Sequence, residues 1–280
     1  MDDRTPDELL AVAAAVLPGE KLGGAGFARG GSHAVVLLPG TAVVRIARTA
    51  AAAALLPRRT ELLHRLSVLD LPFAVPVPLT EVVTVDGCTA VALSWMDGEP
   101  CPKGEGGDPK QLTVLLEALR SVDTAPFAHL LARPLEYSGG DRWAEVMLEQ
   151  AVPRLPAEWR AEGRRRIRTF LDLQPVPYSL VHGDLAGDNM RWDGKGRLLG
   201  VLDWDLAQEY DPAVDASCLA WHGWDKVAAV VDVDTFRRAH AYYLTAGLQQ
   251  IAFAILNDRP EHVIEERTKA MTAWLARTTA

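Results

Sequence analysis

Residues 181–205, VHGDLAGDNMRWDGKGRLLGVLDWD, place five aspartates and one asparagine inside an otherwise apolar, strand-like stretch. A core segment gains nothing from bare carboxylates, since burying an unpaired charge is costly. Their spacing is therefore informative. Asp193-Gly194-Lys195-Gly196 is a turn between two short strands. An antiparallel pair closed by that turn brings Asn189, at the mouth of the first strand, and Asp203, at the end of the second, to the same end. Asp184 precedes Asn189 by five residues, in a loop that follows the strand-like Tyr178-Ser179-Leu180-Val181. Asp188 and Asp193 read as turn residues.

Hard oxygen ligands of this kind suit Mg²⁺ bridging nucleotide phosphates, which Asp203 and Asn189 can supply. Asp184 can orient an incoming hydroxyl and accept its proton. The constellation suits phosphoryl transfer, where positioning and electrostatics carry most of the catalysis.

Flanking sequence sets the frame. Thr5-Pro6-Asp7-Glu8 is a capping-box pattern opening a short helix. AVVLLPGTAVVRIAR (34–48) is a hairpin around Pro39-Gly40, PRRTELLHRL (57–66) an amphipathic helix started at Pro57, and residues 73–100 hold two more strands around Asp86-Gly87. Residues 1–93 are thus a helix-plus-antiparallel-sheet unit, and most of the remainder is helical. The Gly-rich KGEGGD (103–108) reads as a solvated loop.

The 280-residue chain carries 29 basic and 37 acidic residues, a formal charge of −8. That balance disfavours nucleic acid or an anionic membrane as partner and is compatible with a cationic small molecule. Three dispersed cysteines form neither a disulfide framework nor a zinc pattern. With no signal peptide and no long apolar span, a cytoplasmic location is expected. Oligomeric state leaves no mark in the sequence.

HGDLAGDN followed by GVLDWD resembles the motifs of the aminoglycoside phosphotransferase-like family, antibiotic kinases with the protein-kinase fold. The resemblance implies an α+β, two-lobe architecture: an N-lobe (1–93), a hinge (94–100) and a mainly helical C-lobe (101–280) holding the catalytic loop, metal site and substrate pocket. It implies Asp184 as catalytic base, Asn189 and Asp203 as magnesium ligands, and Asp205 as a metal or outer-sphere partner. His182 is expected to buttress the loop. FARGGSHAVVLLPGTAVVRIAR (27–48) resembles the nucleotide-covering hairpin, so Ser32 falls near the phosphates of ATP or GTP, and the backbone at Ser94 and Met96 falls at the nucleobase.

One departure stands out. The kinase pattern pairs a strand lysine with a helix glutamate, whereas this chain offers Arg45 and Glu61. Arginine's planar fork can still pair with a carboxylate and with phosphate oxygens. Glu209, Asp211 and Asp225 are candidates to receive a cationic substrate. Residues 44–81 resemble the N-lobe of viomycin and capreomycin phosphotransferases, implying a basic peptide antibiotic first, then an aminoglycoside or a macrolide. A metabolic kinase for homoserine, choline or a sugar, and an inactive nucleotide-binding pseudokinase, are the remaining readings.

Overall fold

The computed structural model describes residues 4–278. They form two compact units, each discontinuous in sequence: one holds the chain up to Cys101 together with Asp188–Asp205, the other Pro102–Gly187 and the chain from Leu206 onward. Residues 188–205, expected within a C-lobe from residue 101, group instead with the N-terminal unit. The hairpin carrying Asn189, Asp203 and Asp205 belongs to the N-terminal unit.

That unit opens with α1 (Pro6–Val16), where the capping box forms: Glu8 N–H donates to Thr5 Oγ1 and Thr5 N–H to the Glu8 carboxylate. A five-stranded antiparallel sheet follows, in the order β1 (Gly26–Arg29), β2 (His33–Leu38), β3 (Ala42–Ala47), β5 (Cys88–Ser94), β4 (Val83–Val85). Leu9, Val12, Ala13 and Val16 of α1 cover one face, packing on Val36, Leu38, Val44, Ile46, Ala90 and Ala92. Alternation sends Arg45, between buried Val44 and Ile46, to the other face.

Helix α2 (Ala50–Ser67) begins seven residues before the expected start at Pro57. Thr49 caps it by accepting from Ala52 N–H, and an alanine run of high helix propensity carries it through Pro57. The unit is completed by the hairpin β7 (Met190–Trp192) and β8 (Leu198–Val201). Ala74 backbone groups exchange hydrogen bonds with Leu199 and Val201, and Glu99 with Trp192, tying the hairpin to the segments beside the sheet.

The second unit is mainly helical. It contains α3 (Pro109–Ser121), α4 (Trp143–Glu145) and α5 (Val152–Arg154) flanking a π-helical stretch Val146–Ala151, and α6 (Ala157–Leu171). A two-stranded ribbon pairs β6 (Ser179–Val181) with β9 (Gln208–Tyr210), a strand its polar residues did not announce. After it come α7 (Ala213–Cys218), α8 (Trp224–Val230), α9 (Val233–Leu256) and α10 (Glu261–Arg277). Among the described residues no helix is long and apolar enough to cross a membrane.

Arg166 of α6 locks this helical unit. Its fully buried guanidinium donates to Glu162, to the Leu244 and Leu275 carbonyls and to Thr278 Oγ1, joining α6, α9 and the end of α10. Removing one partner of a buried pair leaves the other uncompensated, so Arg166→Ala should lower the unfolding free energy by about 3–5 kcal/mol in denaturant melts. Arg165→Ala, whose side chain is exposed but bonds the same Glu162, should cost less than about 1 kcal/mol.

Candidate active site

In the helical unit, the loop after β6 is held by its backbone. Asp215, buried at the start of α7, accepts from His182 N–H and Gly183 N–H, both at 2.8 Å. His182 is fully buried, and its Nδ1 accepts from Asp184 N–H at 3.1 Å, which assigns the ring proton to Nε2. It braces the loop as expected. Gly183 sits at φ +84°, where a Cβ would fall 2.7 Å from the Leu206 carbonyl oxygen, so only glycine fits. A Cβ on Gly187 would overlap the Trp221 ring. These constraints fix the backbone on both sides of Asp184, whose side chain is half-buried.

Burial pushes the Asp215 carboxyl up to about 7; the two backbone hydrogen bonds oppose that rise and the Asp184 charge adds to it. Buried Gln208 reinforces the neighbourhood, accepting from Leu135 N–H and donating to the Leu206 carbonyl.

In the N-terminal unit, Leu202 N–H donates to the Asn189 carbonyl at 2.7 Å, setting Asn189 opposite Leu202 and one residue from Asp203. The register thus brings Asn189 and Asp203 to the same end of the hairpin. Asp203 adopts φ +55° and leaves its side chain 51% exposed. The turn at the other end is held by Asp193, whose Oδ1 accepts from Lys195 and Arg197 N–H. An amide oxygen and an open carboxylate fit Mg²⁺, which takes one or two protein carboxylates and completes its shell with phosphates and water.

Asp205 lies in a different environment. Arg45 grips it with both guanidinium nitrogens, NH1 to Oδ1 at 3.0 Å and NH2 to Oδ2 at 2.7 Å. Arg59 of α2 brings NH1 to 2.8 Å from the same Oδ2, close enough for an ion pair but without hydrogen-bond alignment. Burial opposes ionisation of Asp205, yet Arg45 and Arg59 hold it below the usual carboxylate range. His33 Nδ1 lies 3.0 Å from Arg45 NH2, a donor, so Nδ1 accepts and Nε2 carries the proton. Burial and the two arginines lower His33 to about 3, so its 3.8 Å approach to Asp205 at neutral pH is not an ion pair.

The expected Arg45–Glu61 pair does not form. Glu61 bonds Arg65 one helical turn away, on a half-exposed face of α2. Asp211 is also corrected as a substrate contact: it is buried, accepts from Arg238 and Tyr242, and caps Ala213 N–H. Glu209 and Asp225 remain exposed. The 103–108 segment is exposed except for buried Gly107, and it is not loose. Glu105 O meets His222 Nδ1, Gly106 O accepts from Lys226, and Gly107 packs on the His222 ring.

Ser32 ends the turn between β1 and β2, where Arg48 donates to the Gly30 carbonyl and its N–H to the Ser32 carbonyl. Ser94 exchanges N–H, hydroxyl and carbonyl bonds with Val77. Its N–H is thereby engaged, leaving Met96 as the stronger candidate for a backbone contact to a base. Sequence reasoning missed Arg59 and His33, and the bracing role of Asp215. Only Asp215 had a signal, an aspartate shortly after LDWD on a helix that must pack near the loop.

The fold is kinase-like, and the chain is a phosphotransferase. The model of the family described as "Phosphotransferase enzyme family" matches residues 24–254, and the chain belongs to it. It is 30% identical over 258 residues to viomycin phosphotransferase of Streptomyces vinaceus, covering 85% of this chain and 90% of that one. The GDP and kanamycin complex of APH(2")-IIia superposes with a TM-score of 0.80 at 18% identity, over 96% of this chain and 99% of that chain. Macrolide 2'-phosphotransferase type I gives 0.69 at 21% identity, over 98% and 99%.

The raised Asp215 pKa has a measurable consequence. Between its ordinary value of 3.8 and about 7 the folded protein keeps a proton that the unfolded chain has released, so stability declines as pH rises through that window. Asp215→Asn removes the titration. The melting-temperature difference, wild type minus Asp215→Asn, should fall from pH 4 to about 7 and then level.

Proposed function

We propose that this chain is a small-molecule kinase that transfers the terminal phosphoryl group of ATP or GTP to a hydroxyl of a basic peptide antibiotic of the viomycin and capreomycin kind, inactivating it. The observation that carries the reaction type is the braced H-G-D loop, which presents Asp184 on a backbone fixed by Asp215, His182 and Gly183. The peptide class rests on the likeness to viomycin phosphotransferase over most of both chains.

Asp184 orients the acceptor hydroxyl and takes its proton as the oxygen attacks phosphorus. Asn189 and Asp203 are the residues that would hold Mg²⁺, which when bound neutralises charge on the phosphate oxygens. Arg45, kept protonated by Asp205 and Asp203 against the effect of burial, supplies a fixed cation to the same polyphosphate. Ser32 and Met96 are assigned to phosphate and base contacts through their backbone positions. Exposed Glu209 and Asp225, with the net charge of −8, favour a cationic acceptor. The protein acts in the cytoplasm in this reading.

A coupled turnover assay with Mg²⁺ and either nucleotide tests it against viomycin, capreomycin, kanamycin, a macrolide and choline. The peptide antibiotics should give the highest kcat/KM; stimulation by another member alone would reassign the substrate. Asp184→Asn should lower kcat by about 10³-fold, within the usual range for a general base, with nucleotide Kd little changed.

A further inference from the structure

The carboxylate that anchors Arg45 comes neither from α2 nor from the metal-binding set. Asp205 has both oxygens occupied, Oδ1 by Arg45 NH1 and Oδ2 by Arg45 NH2 and Arg59 NH1, and its side chain is only 13% exposed. Asp203, two residues earlier, is half-exposed and touches Arg45 only at 3.5 Å. Two like carboxylates so close in sequence thus have separate surroundings, one open and one enclosed by guanidinium groups. Bidentate arginine–carboxylate pairing fixes the plane of the fork as well as its position.

Helix α2 contributes a cation where the kinase pattern has an acid. Arg59 reaches Asp205, while Glu61 is turned to Arg65. The Nε of Arg59 is buried without a hydrogen-bond partner, and its NH1, though close to Asp205, is not aligned to donate. His33, neutral, supports Arg45 from β2 and adds no charge of its own. The cluster therefore holds two guanidinium groups with donor capacity left over, arranged around a single carboxylate. That is the composition of a polyphosphate clamp.

We propose that Asp205 is a positioning residue, not a metal ligand: it holds Arg45 and Arg59 as a paired guanidinium clamp for the nucleotide's phosphates, in place of a helix glutamate. This deepens the phosphotransferase reading and rests on it. Asp205 acts through the arginines, whereas Asp203 acts through the metal, and the two effects separate when nucleotide binding is measured with and without Mg²⁺.

The test is a double-mutant cycle on the full chain, reading ATP or GTP binding by calorimetry in EDTA and in Mg²⁺, with the Mg²⁺ dependence of turnover alongside. Asp205→Asn should weaken metal-free nucleotide binding about tenfold, the loss of about one charge-assisted hydrogen bond, without moving the half-activating Mg²⁺ concentration. Arg59→Gln should weaken metal-free binding in the same direction. Adding Asp205→Asn to an Arg45→Gln/Arg59→Gln protein should weaken metal-free binding no further, since Asp205 acts only through those two arginines. Asp205→Glu should restore most of the binding lost in Asp205→Asn.

A further loss when Asp205→Asn is added to the Arg45→Gln/Arg59→Gln protein would overturn the proposal. So would an Asp205→Asn protein that binds metal-free nucleotide normally but needs more Mg²⁺, or a Glu61→Gln protein weakened as much as Asp205→Asn. A wild-type protein that bound no nucleotide would instead remove the phosphotransferase reading itself, and the proposal with it.

Discussion

Bidentate pairing of Arg45 with Asp205 joins the central strand of the sheet to the loop that follows β8, and the candidate metal residues depend on it. Neither charge is exposed enough to be solvated fully, so each needs the other, and Arg59 and Asp203 balance what remains. The same pairing decides which aspartate of the D-W-D triplet stays open. Trp204 between them is buried, donates to the Val201 carbonyl and stacks near Phe73, so the residues on either side of it are held in place from within the unit.

The helical unit solves the matching problem with backbone amides rather than arginines. A carboxylate in an apolar setting, Asp215, accepts two N–H groups that a sharp turn would otherwise leave unpaired. Glycine at 183 is required by the positive φ and by the Leu206 carbonyl beside it. The loop that carries Asp184 is thereby rigid before any ligand arrives, which is what a positioned base needs.

The sheet, the first helix and the D-G-K-G hairpin were legible because alternation, a capping box and turn residues are local signals, and the structure contains each of them. The start of α2 was not, because Pro57 is a strong local marker that Thr49 and five alanines outweigh. Glu61 was expected from the kinase pattern of a helix acid, and no local signal singled out Arg59 as the side chain that reaches Asp205. Strand β9 escaped because its Gln208 is buried to make specific hydrogen bonds, which composition does not reveal. The assignment of residues 188–205 to the N-terminal unit depends on long-range pairing with residues 74 and 99, which no local pattern encodes. Asp211 read as a surface acid for the same reason: its partners, Arg238 and Tyr242, lie far along the chain.

The proposed reaction moves a phosphoryl group onto a hydroxyl with Asp184 as the base. The most direct measurement is a ³¹P NMR time course of enzyme, nucleoside triphosphate, Mg²⁺ and viomycin. A growing phosphomonoester resonance matched by loss of the γ-phosphate signal is expected with the wild-type protein, and growth slowed about 10³-fold with Asp184→Asn. Inorganic phosphate as the sole product, or an ester signal that grows as fast in Asp184→Asn as in the wild type, would contradict it.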